Sequence, residues 1–88
     1  MDDRDFPYNL TEHAQIQISR RKIKLSWVTL VLENPQRLED HEEDDTVRYA
    51  FGSIDEFGGR VLKVVYNHSA EPWRVITAYF DRGMRGKL

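Results

Sequence analysis

The hydrophobic period of the chain changes once, at Asn34-Pro35, and this change limits the fold more than any other feature. Before it, apolar side chains recur every three or four residues, as in amphipathic helices; after it, they alternate with polar ones, as in half-buried strands. A chain of 88 residues has room for one hydrophobic core. The pattern therefore predicts a single α+β domain over residues 1–88, with the helices first and the sheet second.

Two helices are expected in the first part of the chain. Thr11 is a suitable N-cap for the first helix, and Glu12 adds a negative charge at its positive end. The second helix should run from about residue 24 or 25 to residue 33, where the proline that follows stops it. Residues 1–9 and 82–88 are expected to be loose tails.

The second part of the chain predicts an antiparallel sheet of three to four strands, on which both helices pack. Residues 36–40 suit a short edge strand, and residues 47–52, 60–66 and 73–80 suit longer strands rich in β-branched and aromatic side chains. The short connections between them favour a meander. The residues expected in the core are Leu10, Ala14, Ile18, Val28, Leu32, Val47, Tyr49, Phe51, Leu62, Val64 and Ile76.

The charges are unevenly distributed, although the net charge is only −2. Four cations lie within residues 20–24 and three within residues 82–87, whereas residues 39–45 hold six carboxylates. This distribution excludes a uniformly basic nucleic-acid binder and is compatible with a local basic face. The acidic segment 39–45 is expected to be a mobile solvated loop.

Several classes of site are excluded by composition and spacing. The chain has no cysteine, and its three histidines lack metal-ligand spacing, so no metal site is expected. No glycine-rich phosphate loop precedes a helix, and no cofactor motif is present. The longest apolar stretch is too short to cross a bilayer, and the acidic N-terminus is unlike a secretory signal. A cytoplasmic location is therefore expected.

Cations interleaved with aromatic residues are the remaining candidates for chemistry. Arginine binds phosphate bidentately and aromatic faces stack on exposed bases, so this composition favours RNA as a ligand. Metal-independent RNA cleavage needs a group that transfers a proton and cations that stabilise the developing phosphorane. Histidine is the side chain best suited to such proton transfer at physiological pH, so His13 is the candidate. The cations expected to contact RNA are Arg20, Arg21, Arg60 and Lys63.

The order of motifs along the chain resembles a widespread family of small uncharacterised domains. The motifs are Leu-Thr-Glu-His-Ala at residues 10–14, Leu-Glu-Asn-Pro at residues 32–35 and Arg-Val-Ile-Thr-Ala at residues 74–78. The family is similar to the BrnT toxins and, more remotely, to the RelE/ParE toxins, which cleave messenger RNA or poison gyrase. The chain departs from the family pattern at Lys22, where a glycine is usual.

The resemblance implies a RelE/BrnT-like fold and a metal-independent ribonuclease that a protein partner, similar to an antitoxin, neutralises. It places His13, Arg48 and Arg74 at the positions of catalytic residues. Two alternatives stay open on the residues alone. The same face could hold a protein partner without catalysis, or the domain could be one subunit of a homodimer with Trp73 at the interface.

Overall fold

A computed structural model describes residues 7–88 of the chain, so residues 1–6 of the expected N-terminal tail lie outside the described part. Residues 7–88 form two helices and five strands, with one short 3₁₀ turn after the third strand and another after the fifth. The elements are β1 (Tyr8–Leu10), α1 (Glu12–Arg20), α2 (Leu25–Glu33), β2 (Arg37–Asp40), β3 (Val47–Ile54), β4 (Arg60–Asn67) and β5 (Trp73–Phe80).

The sheet has the strand order β1-β5-β4-β3-β2, and both helices pack on one of its faces. The pairs among β2, β3, β4 and β5 are antiparallel, as expected, whereas β1 pairs with β5 in parallel. The prediction of three to four antiparallel strands after two helices therefore requires correction: the sheet is mixed, has five strands, and begins before α1. A strand of three residues is too short to show an alternating pattern, and its partner lies far along the chain.

Thr11 joins the edge strand to the first helix. Its backbone N–H donates to the carbonyl of Val75 at 3.0 Å, which extends the pairing of β1 with β5 by one bond. Its hydroxyl accepts a hydrogen bond from the N–H of Ala14 at 3.0 Å and thereby caps α1, as the sequence predicts. The same hydroxyl donates to the carbonyl of Ile76 at 3.2 Å. The start of α1 is thus attached to β5.

The core lies between the helices and the sheet. Most of the expected core residues are there, namely Ala14, Ile18, Val28, Leu32, Leu62 and Val64. Strand β3 differs from the expectation, because it presents Ala50 and Ile54 to the helices; Val47 and Phe51 are buried on the opposite face, where Tyr49 is partly buried. Leu10 packs against the core, whereas Ile76 is only partly buried and lies outside it.

Small residues on β3 explain why this strand turns its larger side chains away. A Cβ atom on Gly52 would lie 3.0 Å from Cγ2 of Val31, so α2 can approach β3 only because residue 52 lacks a side chain. Ala50 on the same face is fully buried. The larger residues of β3, Tyr49 and Phe51, therefore lie on the helix-free face of the sheet.

The end of α1 contains a residue in a left-handed conformation. The N–H of Ile23 donates to the carbonyl of Ile18 and that of Lys22 to the carbonyl of Ser19, which is the hydrogen-bond pattern of a Schellman motif. Lys22 occupies the left-handed position with φ of 56°. A Cβ atom is unfavourable there, which is a physical reason for glycine, the residue that the motif resemblance leads us to expect at this position.

We expect Lys22→Gly to raise the free energy of unfolding by about 0.5–1 kcal/mol, because glycine adopts positive φ without the steric cost of a Cβ atom. Chemical denaturation of the two proteins measures the difference. Lys22→Ala is the matched control, since it removes the same charge and keeps the Cβ atom. Equal changes in the two variants would show that charge, not backbone conformation, controls stability at this position.

No helix within residues 7–88 is long and apolar enough to cross a membrane.

Candidate functional site

A cleft of about 490 Å³ opens where the end of β5 meets the start of β4. The residue that follows α1 borders it on one side and the segment after β5 on the other. Its apolar lining consists of Val61, Tyr79 and Phe80. Its charged lining consists of Arg21, Arg60, Arg82, Arg85 and Asp81, which is an excess of three positive charges.

None of the four arginines forms an ion pair with a carboxylate in the part of the chain that the structure describes. The ion pairs within residues 7–88 are elsewhere, such as Lys24 with Glu56 and Arg37 with Glu39. Guanidinium groups keep their charge at any physiological pH, and within residues 7–88 the cleft holds four of them beside a single carboxylate, Asp81, that forms no ion pair with them. An anion with several oxygens is the complementary ligand for such a cleft.

Arg21 reaches the cleft along the open edge of β5. Its Nη1 donates to the carbonyl of Ala78 at 2.9 Å, beyond the point where β1 stops pairing. Its guanidinium also lies 5.8 Å from the centre of the Tyr79 ring. The side chain is therefore held against the strand while the rest of its planar group faces the cleft.

Arg60 is held by the turn between β3 and β4. Its guanidinium lies 4.6 Å from the centre of the Phe57 ring, which stacks on Trp27 at 5.3 Å. Glu56 ties the same turn to α2, because its carboxylate accepts a hydrogen bond from Nε1 of Trp27 at 2.5 Å and another from Nζ of Lys24 at 3.3 Å. Both hydrogen bonds lower the pKa of Glu56, and the bond from Trp27 has the larger effect.

The C-terminal segment, expected to be loose, forms a 3₁₀ turn at Arg82–Met84 and docks on the sheet. The backbone N–H of Asp81 donates to the carbonyl of Val61 at 2.9 Å. The Asp81 carboxylate accepts a hydrogen bond from the N–H of Gly83 at 2.9 Å, and Nη2 of Arg85 donates to the carbonyl of Gly58 at 3.0 Å. These bonds bring two arginines into the cleft.

The structure thus joins residues that are distant in sequence. Arg21 and Arg60, expected to contact RNA, line the same cleft. Arg82 and Arg85 join them although they were not among the expected site residues, and the basic cluster at residues 82–87 was the signal that could have identified them. Arg20 lies exposed in the last turn of α1, outside the cleft lining.

Lys63, the remaining cation expected to contact RNA, lies on the helix-free face next to the cleft. It stands opposite Phe51 on β3 and Tyr79 on β5, so these three side chains share one row across the sheet. Its ammonium is 4.1 Å from the centre of the Tyr49 ring. Because Tyr79 lines the cleft as well, the two surfaces meet at its ring.

The three residues expected to be catalytic do not form one cluster. Arg48 lies opposite Tyr66 in the register, on the helix side of the sheet, and donates to the carboxylate of Asp40 at 3.2 Å. Arg74 lies opposite Asn67 on the helix-free side. His13 is exposed in the first turn of α1, and within residues 7–88 no hydrogen bond or ion pair joins any two of the three.

Arg48 instead supports a buried tyrosine. The Tyr66 side chain is almost fully buried and packs against Trp73, with ring centres 4.8 Å apart and the ring planes tilted by 31°. Burial raises the pKa of Tyr66, and a hydrogen bond from Arg48 partly opposes this effect. This contact also covers part of Trp73, the residue expected at a homodimer interface.

The acidic segment 39–45, expected to be a mobile loop, begins with the last two residues of β2 and continues in hydrogen-bonded turns. Nδ1 of His41 accepts hydrogen bonds from the backbone N–H groups of Glu43 and Asp44, at 3.0 and 3.1 Å. The Asp44 carboxylate accepts from the hydroxyl and the N–H of Thr46, and these bonds lower the pKa of Asp44. Across the described residues, no group of three potential ligands could hold a metal ion.

Comparison with known protein families matches residues 10–80 to a family described as a domain of unknown function, DUF4258. The chain belongs to the DUF4258 family. The matched range of DUF4258 contains Arg21, Arg60 and Tyr79, whereas Asp81, Arg82 and Arg85 follow it. No curated protein and no solved structure matches the chain.

Proposed function

We propose that this DUF4258 domain binds RNA, with the phosphate backbone held in the arginine-lined cleft. The observation that carries the proposal is the convergence of four guanidinium groups that have no carboxylate partner within residues 7–88. Arginine donates two parallel hydrogen bonds to a phosphate, and its charge releases counterions from nucleic acid. The motif resemblance to BrnT toxins supports the same ligand and a BrnT-like relationship.

RNA affinity measured by fluorescence anisotropy at several salt concentrations tests the proposal. We expect Arg82→Ala and Arg85→Ala each to weaken binding by about 10-fold or more, because hydrogen bonds between charged groups are worth about 1.5–3 kcal/mol. The slope of log affinity against log salt should fall by about 0.7 for each phosphate that the variant no longer neutralises, the value for single strands.

Lys87→Ala is the matched control for these variants. It removes one positive charge from the same C-terminal segment, and Lys87 is not part of the cleft lining. A loss as large as that of the arginine variants would mean that net charge alone drives binding, which would contradict a defined site. Absence of RNA binding by the parent protein would favour the alternative of a non-catalytic module that binds a protein partner.

RNA cleavage is a second candidate function, and Asp81 is the observation that favours it. Its carboxylate lies in the cleft lining among the arginines, and it forms no ion pair with them within the described residues. One oxygen accepts from Gly83, so the side chain has a defined position while the other oxygen can accept a proton. A base beside several cations is the minimum that metal-independent cleavage requires.

The reaction that such a site supports is an internal transfer. Asp81 takes the proton from a ribose 2′-hydroxyl, and the 2′-oxygen attacks the adjacent phosphorus. The arginines stabilise the negative charge that builds on the phosphorane oxygens. The bond from phosphorus to the 5′-oxygen then breaks, and that oxygen takes a proton from a water molecule. The hydroxide that remains takes the proton from Asp81, which restores the water and the carboxylate. The products are a 2′,3′-cyclic phosphate and a 5′-hydroxyl end.

A protein that neutralises this activity would carry acidic residues complementary to the cleft. Covering the arginines with carboxylates would relieve their repulsion and exclude RNA from the same site. This partner would play the part of the antitoxin in the BrnT-like interpretation.

A further inference from the structure

The helix-free face next to the cleft combines a cation with aromatic rings. Phe51, Lys63 and Tyr79 form one row across β3, β4 and β5, and Tyr49 occupies the neighbouring row. The Lys63 ammonium lies 4.1 Å from the centre of the Tyr49 ring, 5.6 Å from that of Phe51 and 5.5 Å from that of Tyr79.

Lys63 is enclosed by these rings and has no carboxylate partner in the described part of the chain. Glu39, which lies opposite Tyr49 on the neighbouring strand β2, is paired with Arg37 at 2.7 Å. A half-buried ammonium in contact with rings alone retains hydrogen-bonding capacity for an anion.

Tyr79 makes the aromatic face continuous with the cleft. The Lys63 ammonium lies 5.5 Å from the centre of the Tyr79 ring, on the helix-free face. The Arg21 guanidinium lies 5.8 Å from the centre of the same ring, at the edge of β5. Both Tyr49 and Tyr79 are only partly buried, so ring surface remains accessible on this side of the sheet. A ligand with phosphates in the cleft therefore has aromatic surface directly beside it.

We infer that the RNA bound by this domain is single-stranded and that its bases stack on the helix-free face. This inference rests on the proposed function and specifies its ligand. One base stacks on Tyr79 next to the cleft and a second on Tyr49, while the Lys63 ammonium moves from the rings to the phosphate between them. Bases in a duplex are stacked on each other and cannot offer their faces to these rings.

The relative strengths of the competing interactions favour stacking. An exposed cation–π interaction contributes about 2- to 5-fold to an equilibrium, whereas stacking of a base on an aromatic side chain contributes about 5- to 150-fold to affinity. Lys63 also gains an interaction with phosphate when it moves, and its four-carbon stem is flexible enough to allow this.

Three ligands with the same label separate backbone from base recognition: a 12-nucleotide single-stranded RNA, the same strand in a duplex, and inorganic polyphosphate. We expect the parent protein to bind the single strand at least 10-fold more tightly than either of the others. Tyr79→Leu keeps an apolar side chain but removes the π face, and should weaken single-strand binding by about 5- to 150-fold and polyphosphate binding less. Tyr79→Phe should restore most of the loss, because stacking uses the ring.

Equal affinity for the single strand and the duplex, or equal losses for RNA and polyphosphate in Tyr79→Leu, would overturn the stacking inference while the proposal of RNA binding stands. Absence of RNA binding by the parent protein would instead overturn the proposed function itself. Thermal melting of each variant checks its fold. If Tyr79→Leu does not fold, Tyr49→Leu takes its place, with the same expected loss and the same contradicting outcome.

Discussion

Replacing Asp81 by asparagine is expected to slow RNA cleavage by about 10²–10⁴-fold, the usual contribution of a general base. Asparagine keeps an oxygen that can accept the hydrogen bond from Gly83, so the fold of the C-terminal turn should be retained. It lacks the negative charge needed to take a proton from the 2′-hydroxyl. Single-turnover cleavage of a labelled RNA, with analysis of the 2′,3′-cyclic phosphate product, measures the effect.

His13→Ala provides the comparison that decides between two catalytic sites. The resemblance to BrnT toxins predicts His13 as the proton-transfer group, whereas the cleft geometry favours Asp81. A large loss in His13→Ala together with normal activity in Asp81→Asn would contradict the assignment to Asp81. Normal RNA binding without any cleavage by the parent protein would leave RNA binding as the function and exclude the second candidate.

Trp27→Ala is expected to lower the free energy of unfolding by about 3–5 kcal/mol, the usual cost of removing a buried aromatic side chain. Trp27 is 7% exposed and packs against Phe57 and Phe80, with ring centres 5.3 and 5.9 Å away. Its indole N–H also donates to Glu56, so truncation removes a hydrogen bond along with the packing. Urea denaturation followed by circular dichroism measures the difference.

Lys24→Ala is the control for the Trp27 variant, because it removes the other partner of Glu56. The Lys24–Glu56 pair is largely exposed, with 60% of each side chain accessible, so its removal should change stability far less than Trp27→Ala does. A comparable loss in the two variants would show that the ion pair, rather than the aromatic cluster, holds the turn. If Trp27→Ala left the denaturation midpoint unchanged, the cluster would not be a major part of the core.

Features governed by neighbouring residues were predictable from the sequence. The cap at Thr11, the helix end at Asn34-Pro35 and the strand at residues 73–80 all agree with the structure. Each depends on chemistry within a few residues: a side-chain oxygen near free N–H groups, a proline ring, or an alternation of apolar and polar side chains. The α+β class follows from the same local signals.

The orientation of β3 shows where local pattern is insufficient. Its alternation predicts a strand but leaves both faces available, since one carries Tyr49 and Phe51 and the other carries Ala50 and Ile54. Size favours the aromatic face for the core, yet the close approach of α2 to Gly52 selects the face with small residues. That approach depends on how the helix packs on two strands, which no short segment encodes.

The candidate site depends on long-range packing for the same reason. The order of residues is enough to infer that two helices are followed by strands. It also shows that the cations are clustered and that several are arginines, which suit phosphate. The parallel pairing of a three-residue strand with β5, and the meeting of Arg21, Arg60, Arg82 and Arg85 in one cleft, exist only in the folded chain. Their convergence requires α1, the hairpin turn and the C-terminal turn to meet at one end of the sheet. Such contacts between distant segments are set by packing of the whole core and leave no periodic signal in the chain.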